Sequence, residues 1–332
     1  MPSRIIAASL ALSLAFIVLA QEPEPIRVRV NEVILPVTVT DDKGRFVTNL
    51  DQKDFHIFDE GNPQKISYFT RDHNQPVVVG FLIDMSNGMK IHWKKYQEAI
   101  TELVQNLVPG DSKYSGFLIT YGNLAQLEVD TTSDSESMVT KLGKMKPAGG
   151  SALFDAVWAA CTNRKLVKGE PYEPRRVLVV VGDVHDTVSS RTLDQVVEIA
   201  QKKLVTVYGM STVAFGLRSD GEENLRKLCE ETGGRVESPL TDGIYKDVSG
   251  YLSKPSDAGN YVYTVETGGY AGAIASSIYK TVANIAGEIT TQYIIRYTPD
   301  SPTAAIDKPF HNLRVQVDLP GVKVRYRKGY YR

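Results

Sequence analysis

From Pro76 onward the chain alternates short unbroken apolar runs with longer stretches whose apolar residues recur every three or four positions. The first run, Val77-Val78-Val79-Gly80-Phe81-Leu82-Ile83, is rich in β-branched residues and reads as a strand buried on both faces. An amphipathic helix is predicted from about Met89 to Leu107. Lys113 to Tyr121 and Ala125 to Val129 read as a strand pair, followed by a helix from about Ser135 to Lys144. After the loop Pro147-Ala148-Gly149-Gly150-Ser151, a helix is expected over Ala152 to Leu166. Arg176 to Val181 repeats the buried-strand pattern, and a helix (Leu193 to Lys203), a strand (Val205 to Tyr208) and a helix (Glu222 to Glu231) follow. Such repetition implies an α/β fold with a doubly wound, mainly parallel, Rossmann-like sheet.

The flanks follow a different period. Ile26 to Val30 and Val33 to Val39 alternate at period two, and Asp41-Asp42-Lys43-Gly44 marks a turn. Short strands are expected at Phe46-Val47, Asp54 to Phe58 and Ile66 to Phe69. Strands like these, with one apolar face, make half a sandwich that cannot bury itself alone. Period-two patterning returns at Gln292 to Tyr297, Leu313 to Val317 and Val322 to Tyr326, with a turn at Pro320-Gly321. The two flanks are natural partners in a second, β-sandwich-like domain, with the α/β domain inserted between them. This divides the chain into an N-terminal β segment (21–75), an α/β domain (76–289) and a C-terminal β segment (290–332). Within the α/β domain, 253–273 is rich in Gly, Tyr and Ser and reads as an irregular loop leading into a helix from about Ile274 to Ile289.

Residues 1–20 stand outside this scheme. Arg4 is their only charge, Ile5 to Leu19 is apolar, and Val18-Leu19-Ala20 places small residues before a cleavage point. They read as a secretory signal peptide, too short for the roughly 20 apolar residues of a membrane span. The protein is thus expected to be exported, to the periplasm or beyond, with no membrane span after cleavage. Acidic and basic residues nearly cancel, 39 against 38, without long blocks of either sign, which argues against nucleic acid as the partner. Cys161 and Cys229 are the only cysteines and sit in helix-like segments, where buried thiols are expected rather than a bridge. With no CxxC motif and five scattered histidines, zinc and haem sites are not indicated.

The chemistry lies at strand ends. Asp84 and Ser86 close the first buried strand, Ser151 precedes a helix, and Asp183 follows the second buried strand. Right-handed crossovers bring such loops to one edge of a parallel sheet, where open α/β folds bind ligands. Two carboxylates and two hydroxyls without a soft ligand suit Mg²⁺ or Mn²⁺. The same residues also suit plain structural roles: a polar turn at Asp84 and Ser86, a helix N-cap at Ser151, a hydrogen-bonded carboxylate at Asp183. Asp186 is expected to brace its loop or cap a helix, and Asp155 to bond Ser151 or a loop amide. His185 lacks a nucleophile elbow beside it and reads as a surface histidine.

Residues 76–237 resemble a von Willebrand factor type A domain, whose metal-ion-dependent adhesion site combines DxSxS, a Thr loop and a later Asp. Asp84 and Ser86 match the first two positions, Ser151 replaces the Thr, and Asp183 matches the later Asp. Gly88 stands in place of the second Ser, and Val184 in place of the Gly that usually follows the Asp. VTDDKGRFVTNLDQKDFHIFDEGNPQKISYF and QYIIRYTPD…FHNLRVQVDLPGVKVRYRKGYY resemble the flanks of a bacterial exported family described as von Willebrand factor A-related. The resemblance implies a non-enzymatic adhesion or assembly module, its metal accepting an Asp or Glu from a partner protein. A metal-independent scaffold with a degenerate site is the alternative. Hydrolysis is a third, supported only by clustered Asp, Ser and His.

Overall fold

The computed structural model describes residues 32–71, 76–163, 165–167, 174–182, 185–212, 220–239, 269–299 and 309–331. The signal-peptide reading, the strand at Ile26 to Val30 and Asp183 lie outside the described residues. So does the 253–273 loop up to residue 268.

The α/β part is built on a sheet of β5 (Val77–Asp84), β6 (Tyr114–Tyr121), β7 (Ala125–Thr132), β8 (Arg175–Gly182), β9 (Val205–Ser211) and β10 (Val236–Glu237). Among the described residues its order is β10-β9-β8-β5-β6-β7, parallel throughout except for the antiparallel β6–β7 hairpin at one edge. Every residue of β5 is buried, because alternate side chains feed two cores. Val77, Val79, Phe81 and Ile83 join α1 (Trp93–Leu107), α2 (Ser135–Gly143) and α6 (Gly269–Thr291) on one face. Val78 and Leu82 join α3 (Leu153–Thr162), α4 (Leu193–Lys202) and α5 (Asp220–Thr232) on the other. The helices follow from spacing and caps. On α1 the buried residues Tyr96, Ala99, Ile100, Leu103, Val104 and Leu107 form one stripe. Asp134 caps α2, and Thr192 with Gln195 forms a capping box on α4.

The flanking segments do pair with each other. One sheet has the order β13-β1-β11-β4, uniting β1 (Val33–Thr40) and β4 (Ile66–Thr70) with β11 (Tyr293–Tyr297) and β13 (Lys323–Arg325). The other has the order β14-β12-β2-β3, uniting β2 (Phe55–Asp59) and β3 (Asn62–Gln64) with β12 (Phe310–Val317) and β14 (Gly329–Tyr331). Leu35, Val37, Ile57, Ile295 and Val315 meet in the core between them. Asp59, at 5 % exposure, accepts hydrogen bonds from the hydroxyls of Tyr297 (2.9 Å) and Tyr330 (2.8 Å), joining both sheets.

The period-two pattern of β1 predicts one wet face, yet all eight residues are buried. Val33, Leu35, Val37 and Val39 enter the sandwich core, while Thr38, on the opposite face, meets the α/β part. Its hydroxyl donates to Glu288 on α6 (3.0 Å) and accepts from Gln292 (3.1 Å), whose amide also donates to Tyr208 on β9 (3.0 Å). Glu288, wholly buried, also pairs with Arg325 (2.8 Å) and lies 2.8 Å from Arg235 Nε.

Other differences have local causes. Phe46-Val47 makes only a single bridge, Phe46 to Thr40, not a strand. The helix expected to reach Leu166 ends at Thr162, because Asn163 turns extended and its side chain accepts from the Lys165 amide. Residues 269–273, expected to be loop, are the first turn of α6. Ile278, Val282, Ile285 and Ile289 anchor that helix in the core, and extending a nucleated helix through alanine-containing sequence costs little. Strands β3 and β14 were not predicted, being too short to show a period. Cys161 and Cys229 are buried free thiols.

Candidate metal-binding edge

Asp84 ends β5 and is wholly buried, flanked by Tyr121 on β6 and by Gly182 on β8. Its Oδ1 accepts the Ser86 amide at 2.6 Å, which turns the chain sharply out of the strand. Gly182 makes this tight arrangement feasible. A β-carbon there would lie 2.4 Å from the Tyr121 hydroxyl and 2.5 Å from Asp84 Cβ. The Tyr121 hydroxyl donates to the Val181 carbonyl (3.1 Å), closing the three strand ends together.

Backbone bonds stitch the 148–151 loop to this turn. The Ala148 amide donates to the Met85 carbonyl (2.6 Å) and the Asn87 amide to the Gly149 carbonyl (3.1 Å). Gly149 has φ +104, a value that favours glycine. The Gly150 amide donates to Asn123 Oδ1 (2.7 Å), and the Ser151 amide to Thr187 Oγ1 (3.0 Å), while the Thr187 amide returns a bond to the Ser151 carbonyl (2.9 Å). Asp84, Ser86 and Ser151 are therefore brought to one edge of the sheet, as sequence spacing predicts. Asp183 would directly follow the last residue of β8.

The expected capping role of Ser151 does not hold. The first residues of α3 are served by the 186–189 loop, Asp186 Oδ2 accepting the Phe154 amide (2.8 Å) and Ser189 Oγ the Asp155 amide (3.0 Å). Asp186 also accepts the Ser189 amide (3.1 Å) and hydroxyl (2.6 Å), so it does brace its loop and cap the helix. Asp155 accepts the amides of Ser190 (3.0 Å) and Arg191 (3.2 Å), the loop-amide role. Ser86 likewise precedes its 3-10 turn, Asn87–His92, without a side-chain cap bond. Both hydroxyls, Ser86 Oγ and Ser151 Oγ, are buried without a hydrogen-bond partner among the described residues. Buried hydroxyls ordinarily find one.

These orphaned oxygens beside a buried carboxylate fit a hard cation such as Mg²⁺ or Mn²⁺. Gly88 is exposed and offers no side-chain donor. Among the described residues no group of three or more His, Cys, Asp or Glu comes together. A cation here would rest on Asp84, two hydroxyls, water and whatever Asp183 adds. His185 is exposed. Sequence reasoning missed Asn123, Thr187 and Ser189. Asn123 and Thr187 are single polar residues in loops, and only the meeting of those loops gives them a role.

An open α/β sheet with hydroxyl and carboxylate oxygens gathered at the carboxyl ends of its strands has the layout at which α/β folds bind ligands. The family model for the von Willebrand factor type A domain matches residues 79–250, more than half of the chain, and the chain belongs to that family. The matched span contains Asp84, Ser86, Ser151 and Asp183. Among solved structures, BatB from Bacteroides thetaiotaomicron is 19 % identical, with 55 % of this chain and 99 % of that chain covered and a TM-score of 0.39. Proximal thread matrix protein 1 from the mussel byssus, with a zinc-occupied MIDAS motif, is 15 % identical, with 55 % and 46 % covered and a TM-score of 0.42. An aerotolerance-related membrane protein from Bacteroides fragilis is 18 % identical, with 61 % and 99 % covered and a TM-score of 0.39. No curated protein matches the chain. Among the described residues no helix is long and apolar enough to cross a membrane.

Proposed function

We propose that this protein is an exported, non-enzymatic binding module that docks a protein partner at the carboxyl edge of its parallel sheet through a divalent cation. One observation carries the reading: the Ser86 and Ser151 hydroxyls are buried and unpartnered among the described residues, beside the buried carboxylate of Asp84. In this reading Asp84 supplies charge, Ser86 and Ser151 supply neutral oxygens, and Asp183 supplies a second carboxylate. Bound Mg²⁺ or Mn²⁺ would supply a Lewis-acidic position open to an Asp or Glu of the partner. The chain's own residues prepare that edge. Asp186 and Ser189 relieve Ser151 of capping, and Asn123 and Thr187 hold its loop against the Asp84 turn. Leu124 and Val188, 79 % and 48 % exposed on the adjoining loops, offer an apolar rim for the partner. Export rests on the signal-peptide pattern of residues 1–20.

A metal-independent scaffold is the second reading. It is favoured by Gly88, which leaves one oxygen fewer than the adhesion motif provides. Calorimetric titration with Mg²⁺ and Mn²⁺ separates the two. The proposal expects saturable Mn²⁺ binding that disappears in Asp84→Ala and weakens in Ser151→Ala. No saturable binding at millimolar metal would end the cation mechanism and leave the scaffold.

A further inference from the structure

The sheet edge opposite Asp84 carries a second feature, independent of the cation reading. A cavity of about 560 Å³ opens there, beside the first residues of β8 and β9 and the last turns of α3 and α4. Its walls are mixed, with Val78, Phe117, Val167 and Leu178 supplying apolar surface. Among the described residues the charged ones on it are Arg176, Lys202 and Lys203, of which Lys202 is paired with Glu198. Arg176 and Leu204 also line a smaller cavity of about 20 Å³, so the two adjoin. The smaller one lies between β1 and the sheet edge and is lined by Arg175, Arg176 and Arg327.

Arg327 is only 2 % exposed, and among the described residues its Nε and Nη1 have no hydrogen-bond partner. Burial lowers its pKa to about 10, which still leaves it charged at neutral pH. Among the described residues the Nε atoms of Arg175 and Arg176 lack partners too, although Arg175 donates to the Ile289 carbonyl (3.0 Å) and Gln292, and Arg176 to the Lys203 carbonyl (3.4 Å). A buried guanidinium without a counter-charge is unfavourable, and three lining one small space repel each other. Leu204 adds a further sign. It follows α4 at φ 56, a left-handed position that glycine takes without strain, yet its leucine lines both cavities.

We infer that the two cavities form one binding site for an amphiphilic carboxylate, its head among the three arginines and its apolar chain in the larger cavity. Arginine suits a carboxylate because its fixed N–H fork matches the two oxygens. The larger volume falls in the range of about 300–1,000 Å³ usual for small-molecule pockets. The buried Arg327 donors, unpartnered among the described residues, select an anionic head over a cationic one.

Isothermal titration of the full chain with decanoate, decanol and acetate, each below its aggregation concentration, tests the site. Decanoate should saturate one site at micromolar concentration, decanol should bind about tenfold more weakly, and acetate should not bind below millimolar. Arg327→Gln should weaken decanoate about tenfold and leave decanol unchanged. Val167→Trp, which fills the larger cavity from a partly exposed position, should abolish both. Circular dichroism checks that each variant folds, and Arg176→Gln gives the same comparison should Arg327→Gln fail to. Equal binding of decanoate and decanol would overturn the inference. So would decanoate binding unchanged in the variants, no saturable decanoate site below millimolar, or acetate binding as tightly as decanoate.

Discussion

Glu288 should be among the most sensitive positions in the chain. Its carboxylate is wholly buried and receives Thr38 Oγ1 (3.0 Å), Arg325 Nε (3.2 Å) and Arg325 Nη2 (2.8 Å), with Arg235 Nε 2.8 Å away. The Arg235 contact is an ion pair by distance without the alignment of a hydrogen bond. Glu288→Ala would strand the Arg325 guanidinium, leave Arg235 with Glu237 alone (2.8 Å) and cost the Thr38 hydroxyl its acceptor. Removing one member of a buried pair costs about 3–5 kcal/mol. The arginine side chains are 25 % and 24 % exposed, so water recovers part of this, and the lower end, about 3 kcal/mol, is expected. Losing the Thr38 bond adds about 1 kcal/mol. Urea unfolding followed by circular dichroism should place Glu288→Ala about 4 kcal/mol below wild type. Glu288→Gln, which keeps a similar shape and one acceptor, should fall between them. A loss under about 1 kcal/mol for Glu288→Ala, or a glutamine variant no better than alanine, would refute the idea that this carboxylate joins the two parts of the fold.

Other expectations follow from the same physics. Gly182→Ala should cost about 1–3 kcal/mol by overpacking against Tyr121 and Asp84, and a neutral result in thermal unfolding would contradict the tight closure there. Asp186→Ala should cost about 1–2 kcal/mol through the lost α3 cap, with hydrogen exchange of the Phe154 amide rising. Burial pushes the Cys161 thiol up to about 12 and raises Cys229 as well, so neither should react with a thiol reagent at pH 8 until the protein unfolds. Burial also raises the ionisation of Tyr96 and Tyr208 above the usual 10.0. A raised folded pKa means that their stabilisation is complete below pH 10 and declines above it, as unfolded tyrosines ionise. Absorbance titration should show these tyrosines ionising only with alkaline unfolding, and their earlier titration in the folded state would refute it.

Much of this was legible because it depends on local pattern. β5 and β8 announce themselves as apolar runs, and α1, α2, α4 and α5 by spacing. Asp84, Ser86 and Ser151 were legible as site candidates because strand-end position in a parallel sheet is set by topology. That Ser151 does not cap α3 was not. A serine before a helix ordinarily caps it, and only the folded 186–189 loop, supplying Asp186 and Ser189, takes that task away. Asn123 and Thr187 were invisible for the same reason, since their partners are distant in sequence.

Local pattern along the chain settled the alternation of strands and helices, the pairing need of the two flanks and the polar strand ends, because each follows from a short-range period or from an apolar face that must be covered. Packing alone settled that β1 is buried on both sides, that Gln292 bridges β1 to β9 while Glu288 ties β1 to Arg325 and Arg235, and that Arg175, Arg176 and Arg327 meet around one space. Those outcomes depend on which surfaces press together, and burial of a polar group leaves no periodic trace in the chain that carries it.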